Sequence, residues 1–148
     1  MTIVLLTLAG AVFSLVIGSL WYAPNTPMGK IHMRALGFDK LSPEEQKAKM
    51  EAAKPHMWKS FLAQAALSLL TSFAVVVIIT FSMANGLPFS MAAGFIAFDW
   101  LCFMVPVIGA NVVWSNAAGK LAWQKFISDA ANAFLTVLLI AVFASYFA

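Results

Sequence analysis

Two acidic side chains lie within apolar stretches of this sequence and are the first candidates for chemistry. Asp99 and Asp129 are each flanked on both sides by mostly apolar residues. An ionised side chain near the centre of a lipid bilayer costs at least about 2.5–3.5 kcal/mol, so a carboxyl group there requires a partner or a function. The functional interpretation is a site that binds a proton or a cation. The structural interpretation is a neutral acid that joins two helices through hydrogen bonds.

The two acids differ in the partners that the sequence offers them. Lys125 precedes Asp129 by four residues, which places both on one helix face and predicts a local ion pair. The same face continues through Asn132 and Thr136, so this polar stripe is expected to face protein or water rather than lipid. Asp99 has no basic residue at its own depth, and in a low-dielectric site it is expected to hold a proton. Because Asn132 should lie at about the same depth, the sequence predicts a hydrogen bond between Asp99 and Asn132.

No catalytic set is assigned in this sequence. It has no glycine-rich phosphate loop, no HExxH pattern and no Ser-His-Asp set. His32 and His56 lie in different segments without ligand-like spacing, so no metal site is predicted, and nothing identifies a cofactor. The single cysteine, Cys102, excludes an intrachain disulfide and is interpreted as a small core residue.

The composition requires that these residues be positioned by membrane-spanning helices. The 148 residues are 62% hydrophobic and 10% charged, with a mean hydropathy of +0.88, whereas about a quarter of a soluble protein is charged. A helix needs about 20 apolar residues to cross a hydrocarbon core of about 30 Å, and four stretches qualify: residues 3–22, 58–84, 89–115 and 121–147. The first lacks the basic start and cleavage site of a signal peptide, so it is interpreted as a retained helix. The predicted fold class is all-α, an integral membrane four-helix bundle forming a single domain over residues 1–148.

The basic residues predict an orientation for this bundle. Seven of them lie between the first and second apolar stretches or at the start of the second: Lys30, Arg34, Lys40, Lys47, Lys49, Lys54 and Lys59. Lys120 lies between the third and fourth stretches, while the connection from Asn85 to Pro88 has no charge. The positive-inside rule therefore predicts a multi-pass protein with its basic connections in the cytoplasm and both termini outside, toward the periplasm if the membrane is a bacterial inner membrane. The net positive charge of the chain comes from the connection between the first and second apolar stretches. The lipid bilayer is therefore the expected partner, and no nucleic acid is expected to bind.

The connection over residues 23–57 is predicted to contain one or two short amphipathic cytoplasmic helices. Thr26 and Pro27 start the first, over residues 27–36, and Gly37 ends it. Ser42 and Glu45 form a capping box that starts the second, over residues 43–53. The first helix has an apolar face and a basic face, which suits either the membrane surface or packing on the ends of the protein's own helices.

Small residues recur along one face of the first helix. Gly10, Ser14 and Gly18 are four residues apart and form a ridge that allows close packing against another helix. The spacing leaves open whether that helix belongs to the same chain or to another one.

Several short motifs resemble one family of small bacterial four-helix membrane proteins, grouped as a domain of unknown function (number seventeen-sixty-one). They include a Trp-Tyr-x-Pro end to helix one, a Gly-Lys pair, a Gly-closed amphipathic segment and two aromatic motifs, within residues 18–24, 28–30, 33–38, 99–103 and 123–127. The resemblance extends over nearly the whole chain. It implies the four-helix membrane topology and implies no activity.

Three functional hypotheses follow from these residues. The first is a non-enzymatic membrane module that either self-associates or serves as an accessory subunit of a larger membrane complex. The second is a small oligomeric proton- or cation-linked transporter or channel that uses Asp99. The third is a membrane enzyme without a recognisable motif. The partners expected are the lipid bilayer and a membrane protein partner or further copies of the chain.

Overall fold

The computed structural model describes residues 2–114 and 119–148, and these residues form helices joined by short turns, with no strand among them. Six α-helices follow one another: α1 (Thr2–Trp21), α2 (Pro27–Ala35), α3 (Pro43–Ala84), α4 (Phe89–Asp99), α5 (Val105–Val113) and α6 (Gly119–Ser145). A 3-10 turn (Phe38–Lys40) precedes α3, and a π-helical segment (Trp100–Met104) joins α4 to α5. In the described residues α1, α3, the continuous α4–α5 segment and α6 are long and apolar enough to cross a membrane. The predicted four-helix membrane architecture is confirmed.

The second span differs from its prediction. The expected short helix over residues 43–53 is not separate, because α3 runs without a break for 42 residues from Pro43 to Ala84. Pro55 removes one backbone hydrogen bond inside this helix, but it lies among exposed residues where water can satisfy the freed carbonyl group. The sequence from 44 to 84 contains no glycine or asparagine that would end a helix. At 1.5 Å per residue α3 is about 60 Å long, so its first half extends beyond a hydrocarbon core of about 30 Å.

The end of the bundle at which α2 and the start of α3 lie is called the basic end below. Here α2 folds back against α6. The Thr26 hydroxyl caps α2 by accepting a hydrogen bond from the Gly29 amide at 2.9 Å. Gly29 is buried against the backbone of Ala23, where a Cβ atom would overlap the Ala23 carbonyl group. Of the two arrangements that the sequence left open for this helix, the structure shows the one in which it packs on the protein's own helix ends.

Two members of the small-residue ridge of α1, Gly10 and Ser14, contact α3 of the same chain, whereas Gly18 has open space beside it. A Cβ atom on Gly10 would overlap Ser72 Oγ, so the two backbones approach closely at this point. The Ser72 hydroxyl donates a hydrogen bond to the Thr7 carbonyl oxygen at 2.8 Å, and Ser14 Oγ lies 3.1 Å from Ser68 Oγ. Serine is small enough to allow this close approach, and its hydroxyl group can form a hydrogen bond between the two helices within the membrane.

The apolar core lies between these helices in the half of the bundle away from the basic end. Its buried residues come from α1, α3, α4 and α6, with Val76, Ile79 and Ile140 among those fully enclosed. Phe13 of α1 meets Phe143 of α6 edge to face, with 5.0 Å between ring centroids. Most other large apolar side chains face outward, as they must in a bundle surrounded by lipid.

The third span is interrupted at its middle. The Val105 amide bonds to the Trp100 carbonyl oxygen, five residues back, so one wider turn forms between Asp99 and Pro106. Pro106 has no amide hydrogen and its ring would clash with the carbonyl group four residues earlier in a regular helix. The π-helical segment accommodates this proline, and it does so directly after Asp99. The span then ends at Val113, and Ser115, which was predicted to close it, lies outside the described residues.

Candidate functional site

A cluster of four polar side chains lies where α1, α2 and α6 come together at the basic end: Tyr22, His32, Lys125 and Asp129. The predicted ion pair between Lys125 Nζ and Asp129 Oδ2 is present, and both side chains are mostly shielded from solvent. The Tyr22 hydroxyl donates a hydrogen bond to Asp129 Oδ1 at 2.8 Å, so each carboxylate oxygen has a partner. Next to this bond, Trp21 Nε1 donates to Ser128 Oγ at 3.1 Å. The end of α1 is thereby fixed to α6 by two neighbouring aromatic residues.

His32 of α2 completes this cluster. Its ring lies against the Tyr22 ring, with 4.9 Å between centroids, and its Nδ1 atom is buried without a hydrogen-bond partner in the described residues. Burial and then the positive charge of Lys125 lower the pKa of His32, and the negative charge of Asp129 opposes this change. Burial and the hydrogen bond to Asp129 raise the pKa of Tyr22, so its hydroxyl remains a donor. The cluster contains one balanced ion pair and is otherwise neutral.

A polar cavity of about 420 Å³ begins beside this cluster and lies between α1, α3 and α6. It is called the polar cleft here. Its polar lining consists of hydroxyl and amide side chains: Ser14, Ser19, Tyr22, Gln64, Asn132 and Thr136. The cleft exists because α1 and α3 touch at Gly10 but separate toward the basic end, where a Cβ atom on Gly18 would meet no atom within 4 Å.

Asn132, which lines the polar cleft, has one side-chain atom without a hydrogen-bond partner among the described residues. Asn132 Oδ1 has no hydrogen-bond partner in the described part of the chain and is shut off from the surface. A buried acceptor without a partner costs about 1–3 kcal/mol, and ordered water is the usual remedy where the space is polar and large enough. The predicted polar stripe of α6 therefore faces the protein interior, with Asp129 in the cluster and with Asn132 and Thr136 in the polar cleft.

Asp99 lies elsewhere, and the predicted hydrogen bond between Asp99 and Asn132 is wrong. The Asp99 side chain is exposed on the outer surface of the bundle, in a groove of about 290 Å³ that α3 contributes to most. The reason is the next residue. Trp100 points inward, where its Nε1 donates to the Ala130 carbonyl oxygen at 3.1 Å and its ring packs on Phe134 at 4.8 Å. Since neighbouring helical residues point about 100° apart, this contact turns Asp99 away from α6.

The groove at Asp99 shares no lining residue with the polar cleft, but a third cavity shares residues with both. A third cavity, of about 150 Å³, shares Ser14, Gln64, Asn132 and Thr136 with the polar cleft. Its far wall is formed by Thr71, Met104 and Val137, which also line the groove at Asp99. Shared wall residues therefore relate three neighbouring cavities, from Tyr22 at the basic end to Asp99 in the third span.

Sequence reasoning missed the contribution of Tyr22 and His32 to the surroundings of Asp129. The signal was available in part. Tyr22 ends the first apolar stretch at the side of the membrane where the antiparallel fourth stretch begins, and Asp129 lies near the start of that fourth stretch. His56 lies on the exposed first half of α3, far along the chain from this cluster. Within residues 2–114 and 119–148 no group of three or more His, Cys, Asp or Glu side chains is placed to hold a metal ion. Cys102 is exposed on the bundle surface rather than buried in a core.

Comparison with known proteins supports the resemblance seen in the motifs. Residues 5–145 match the family described as "Protein of unknown function (DUF1761)". No curated protein and no solved structure matches the chain. Since the match covers nearly the whole sequence, the chain belongs to the DUF1761 family.

Proposed function

We propose that this DUF1761 protein is a non-enzymatic membrane protein that self-associates through the helix face carrying Asp99. The supporting observation is the exposed carboxyl group of Asp99 on the outer surface of the bundle. Asp99 is the eleventh residue of a 25-residue span, which places it about 15 Å from the start of the span and about 21 Å from its end. Lipid offers no hydrogen bonds at that depth, and an ionised acid there costs at least about 2.5–3.5 kcal/mol. A protein surface that covers Asp99 and bonds to it removes this cost.

A second copy of the chain is the partner that supplies such a surface most simply. A two-fold axis along the membrane normal brings the Asp99 residues of two copies to the same depth. A protonated carboxyl group carries one donor and free acceptor sites, so two of them can hydrogen-bond to each other. Thr71, which lines the same groove, adds a hydroxyl group on each side. The non-enzymatic part of the proposal is supported by the Asp129 cluster, whose charged groups are already engaged with each other.

The proposal places the basic end in the cytoplasm of a bacterial cell and both termini outside the inner membrane. Its support is the concentration of lysine and arginine residues in the connection that forms α2 and the start of α3. A cysteine in a Cys102→Ala background, labelled by a membrane-impermeant maleimide on intact cells, tests this placement. Tyr146→Cys should be labelled and Lys47→Cys should not. Labelling of Lys47→Cys but not of Tyr146→Cys would show that the protein has the opposite orientation.

The test of self-association is the dimer fraction in liposomes, counted by single-molecule photobleaching over a range of protein-to-lipid ratios. The unmodified chain is expected to dimerise. Asp99→Leu should weaken dimerisation by about tenfold, since one intramembrane hydrogen bond contributes about 0.6–1.7 kcal/mol. Asp99→Asn should retain most of the affinity because an amide also donates and accepts. Asn111→Leu, which removes an exposed polar residue of the same span outside the groove, is the matched control.

Two other results would replace this proposal. A foreign subunit that co-purifies in fixed proportion from mild detergent, and is lost with Asp99→Leu, would indicate an accessory subunit of a larger complex. Monomers at every density, together with a proton or cation flux that Asp99→Asn abolishes, would indicate a small transporter. A dimer unaffected by Asp99→Leu would show that a different face forms the contact.

A further inference from the structure

We infer that the polar cleft is a hydrated path by which Asp99 exchanges its proton with the basic side of the membrane and not with the opposite side. The inference concerns access to the carboxyl group and goes beyond the self-association proposed above. It rests on the three adjoining cavities, on the chemistry of their walls and on the packing of the opposite half of the bundle.

The walls of the path suit water. Hydroxyl and amide groups line the polar cleft, and the smaller cavity beyond it adds Ser68 and Thr71. Such groups donate and accept hydrogen bonds without carrying charge. The smaller cavity, of about 150 Å³, has space for a few water molecules at about 30 Å³ each. Asn132 lines both of these cavities and adds its amide group to their polar walls.

The path ends at the groove that contains the Asp99 carboxyl group, which can take up a proton. The Asp99 groove is otherwise lined by Thr71, Met104 and aliphatic residues of α3, α4 and α6, with no basic or second acidic side chain among its lining residues. A proton delivered by water converts the carboxylate and a hydronium ion to a carboxylic acid and water. Beside the entrance Lys125 and Asp129 pair with each other, and His32 lies next to Tyr22.

In the opposite half of the bundle the described residues pack closely between α1, α3 and α6. There Gly10 packs directly on Ser72, and Val76, Ile79 and Ile140 are fully enclosed. An apolar core of this density holds no connected water. Access to Asp99 is therefore expected to be one-sided.

The first experiment measures hydration of the path by cysteine reactivity in proteoliposomes, in a Cys102→Ala background. Thr136→Cys places a thiol in the path, and Leu139→Cys places one on the lipid-facing side of the same helix. A charged, impermeant thiosulfonate reagent on the basic side should modify Thr136→Cys at least about tenfold faster, because a thiol ionises readily in water and poorly in lipid. Equal rates, or modification of Thr136→Cys from the opposite side only, would overturn the inference.

The second experiment follows the protonation of Asp99 itself. The infrared C=O stretch that disappears in Asp99→Asn is recorded after a pH jump on one side of oriented proteoliposomes. It should respond to a jump on the basic side at least about tenfold faster than to one on the opposite side. Gly18→Leu should slow this response, because the added side chain enters the cleft without meeting an atom within 4 Å at its Cβ. Gly94→Leu, at a similarly unobstructed glycine of α4 outside the path, should leave the response unchanged.

The two experiments separate this inference from the proposal of self-association. Both read access within a single chain and can be run at densities where the chain is monomeric. One-sided access in a chain that never dimerises would overturn only the proposed function. A dimer whose Asp99 responds equally to both sides, or in which Gly18→Leu has no effect, would overturn only the path.

Discussion

Replacing Gly10 with alanine tests the close packing on which the shape of the bundle depends. The added Cβ atom would overlap Ser72 Oγ and would lie 3.0 Å from Ile140 Cγ2, so the serine must move. Overpacking of this kind costs about 1–3 kcal/mol. The displaced Ser72 hydroxyl also loses its 2.8 Å hydrogen bond to the Thr7 carbonyl oxygen, which contributes about 0.6–1.7 kcal/mol in a membrane protein. The combined cost is about 2–4 kcal/mol.

The matched control for this change is Gly18→Ala on the same helix. A Cβ atom at Gly18 meets nothing within 4 Å, so this variant gains only the helix propensity of alanine, up to about 1 kcal/mol. Both variants carry that gain, and the difference between them isolates the packing cost. Reversible unfolding in mixed micelles, followed by the helical circular dichroism signal, gives the free energy of unfolding of each. Gly10→Ala should be less stable than Gly18→Ala by about 2–4 kcal/mol.

A double variant identifies Ser72 as the cause. Ser72→Ala alone loses one hydrogen bond, and in this background Gly10→Ala no longer meets Oγ but still lies 3.3 Å from the Cβ atom of residue 72. The second substitution should therefore cost less in the presence of the first, a favourable coupling of about 1–2 kcal/mol. If Gly10→Ala were as stable as Gly18→Ala, or if the double variant showed no coupling, the close approach of α1 and α3 at this point would be refuted.

Three further predictions concern the basic end. Gly29→Ala would drive a Cβ atom into the backbone of Ala23, and this overlap should cost close to the upper end of the usual overpacking range of about 1–3 kcal/mol. We expect α2 to lose its packing as a result, which would be measured as faster amide hydrogen exchange in α2 alone. The pKa of His32 is lowered in the folded chain, so at pH values below about 6.5 the unfolded chain binds more protons than the folded chain. The free energy of unfolding should therefore fall as the pH drops from about 6.5 toward the folded pKa. His32→Gln should make the free energy of unfolding depend less on pH over that range. Tyr22→Phe removes the hydrogen bond to Asp129 and should lower the free energy of unfolding by about 1.5 kcal/mol, and an unchanged value would contradict the observed geometry.

The sequence alone was sufficient for the number of spans and for most of their ends. In lipid each helix must satisfy its own backbone hydrogen bonds, so a long apolar stretch has one available structure and its length is a local property. The caps at Thr26 and Ser42 were predictable for the same reason, since each bond joins residues three apart. The ion pair between Lys125 and Asp129 is likewise a contact within one helix. The family membership followed from motifs spread along the whole chain.

The tertiary structure decided how each helix is rotated about its axis, and this determined the surroundings of both acids. A stripe on α6 specifies which residues share a face but not which neighbour that face meets. The packing of Trp100 on α6 turned Asp99 outward, and the approach of α1 gave Asp129 its bond to Tyr22. Hydropathy does not encode such rotations, because lipid is as apolar as the side chains that compete to face it. The depth of Asp99 was therefore determined by the sequence, while its position on the outer surface was determined by the packing of its neighbour.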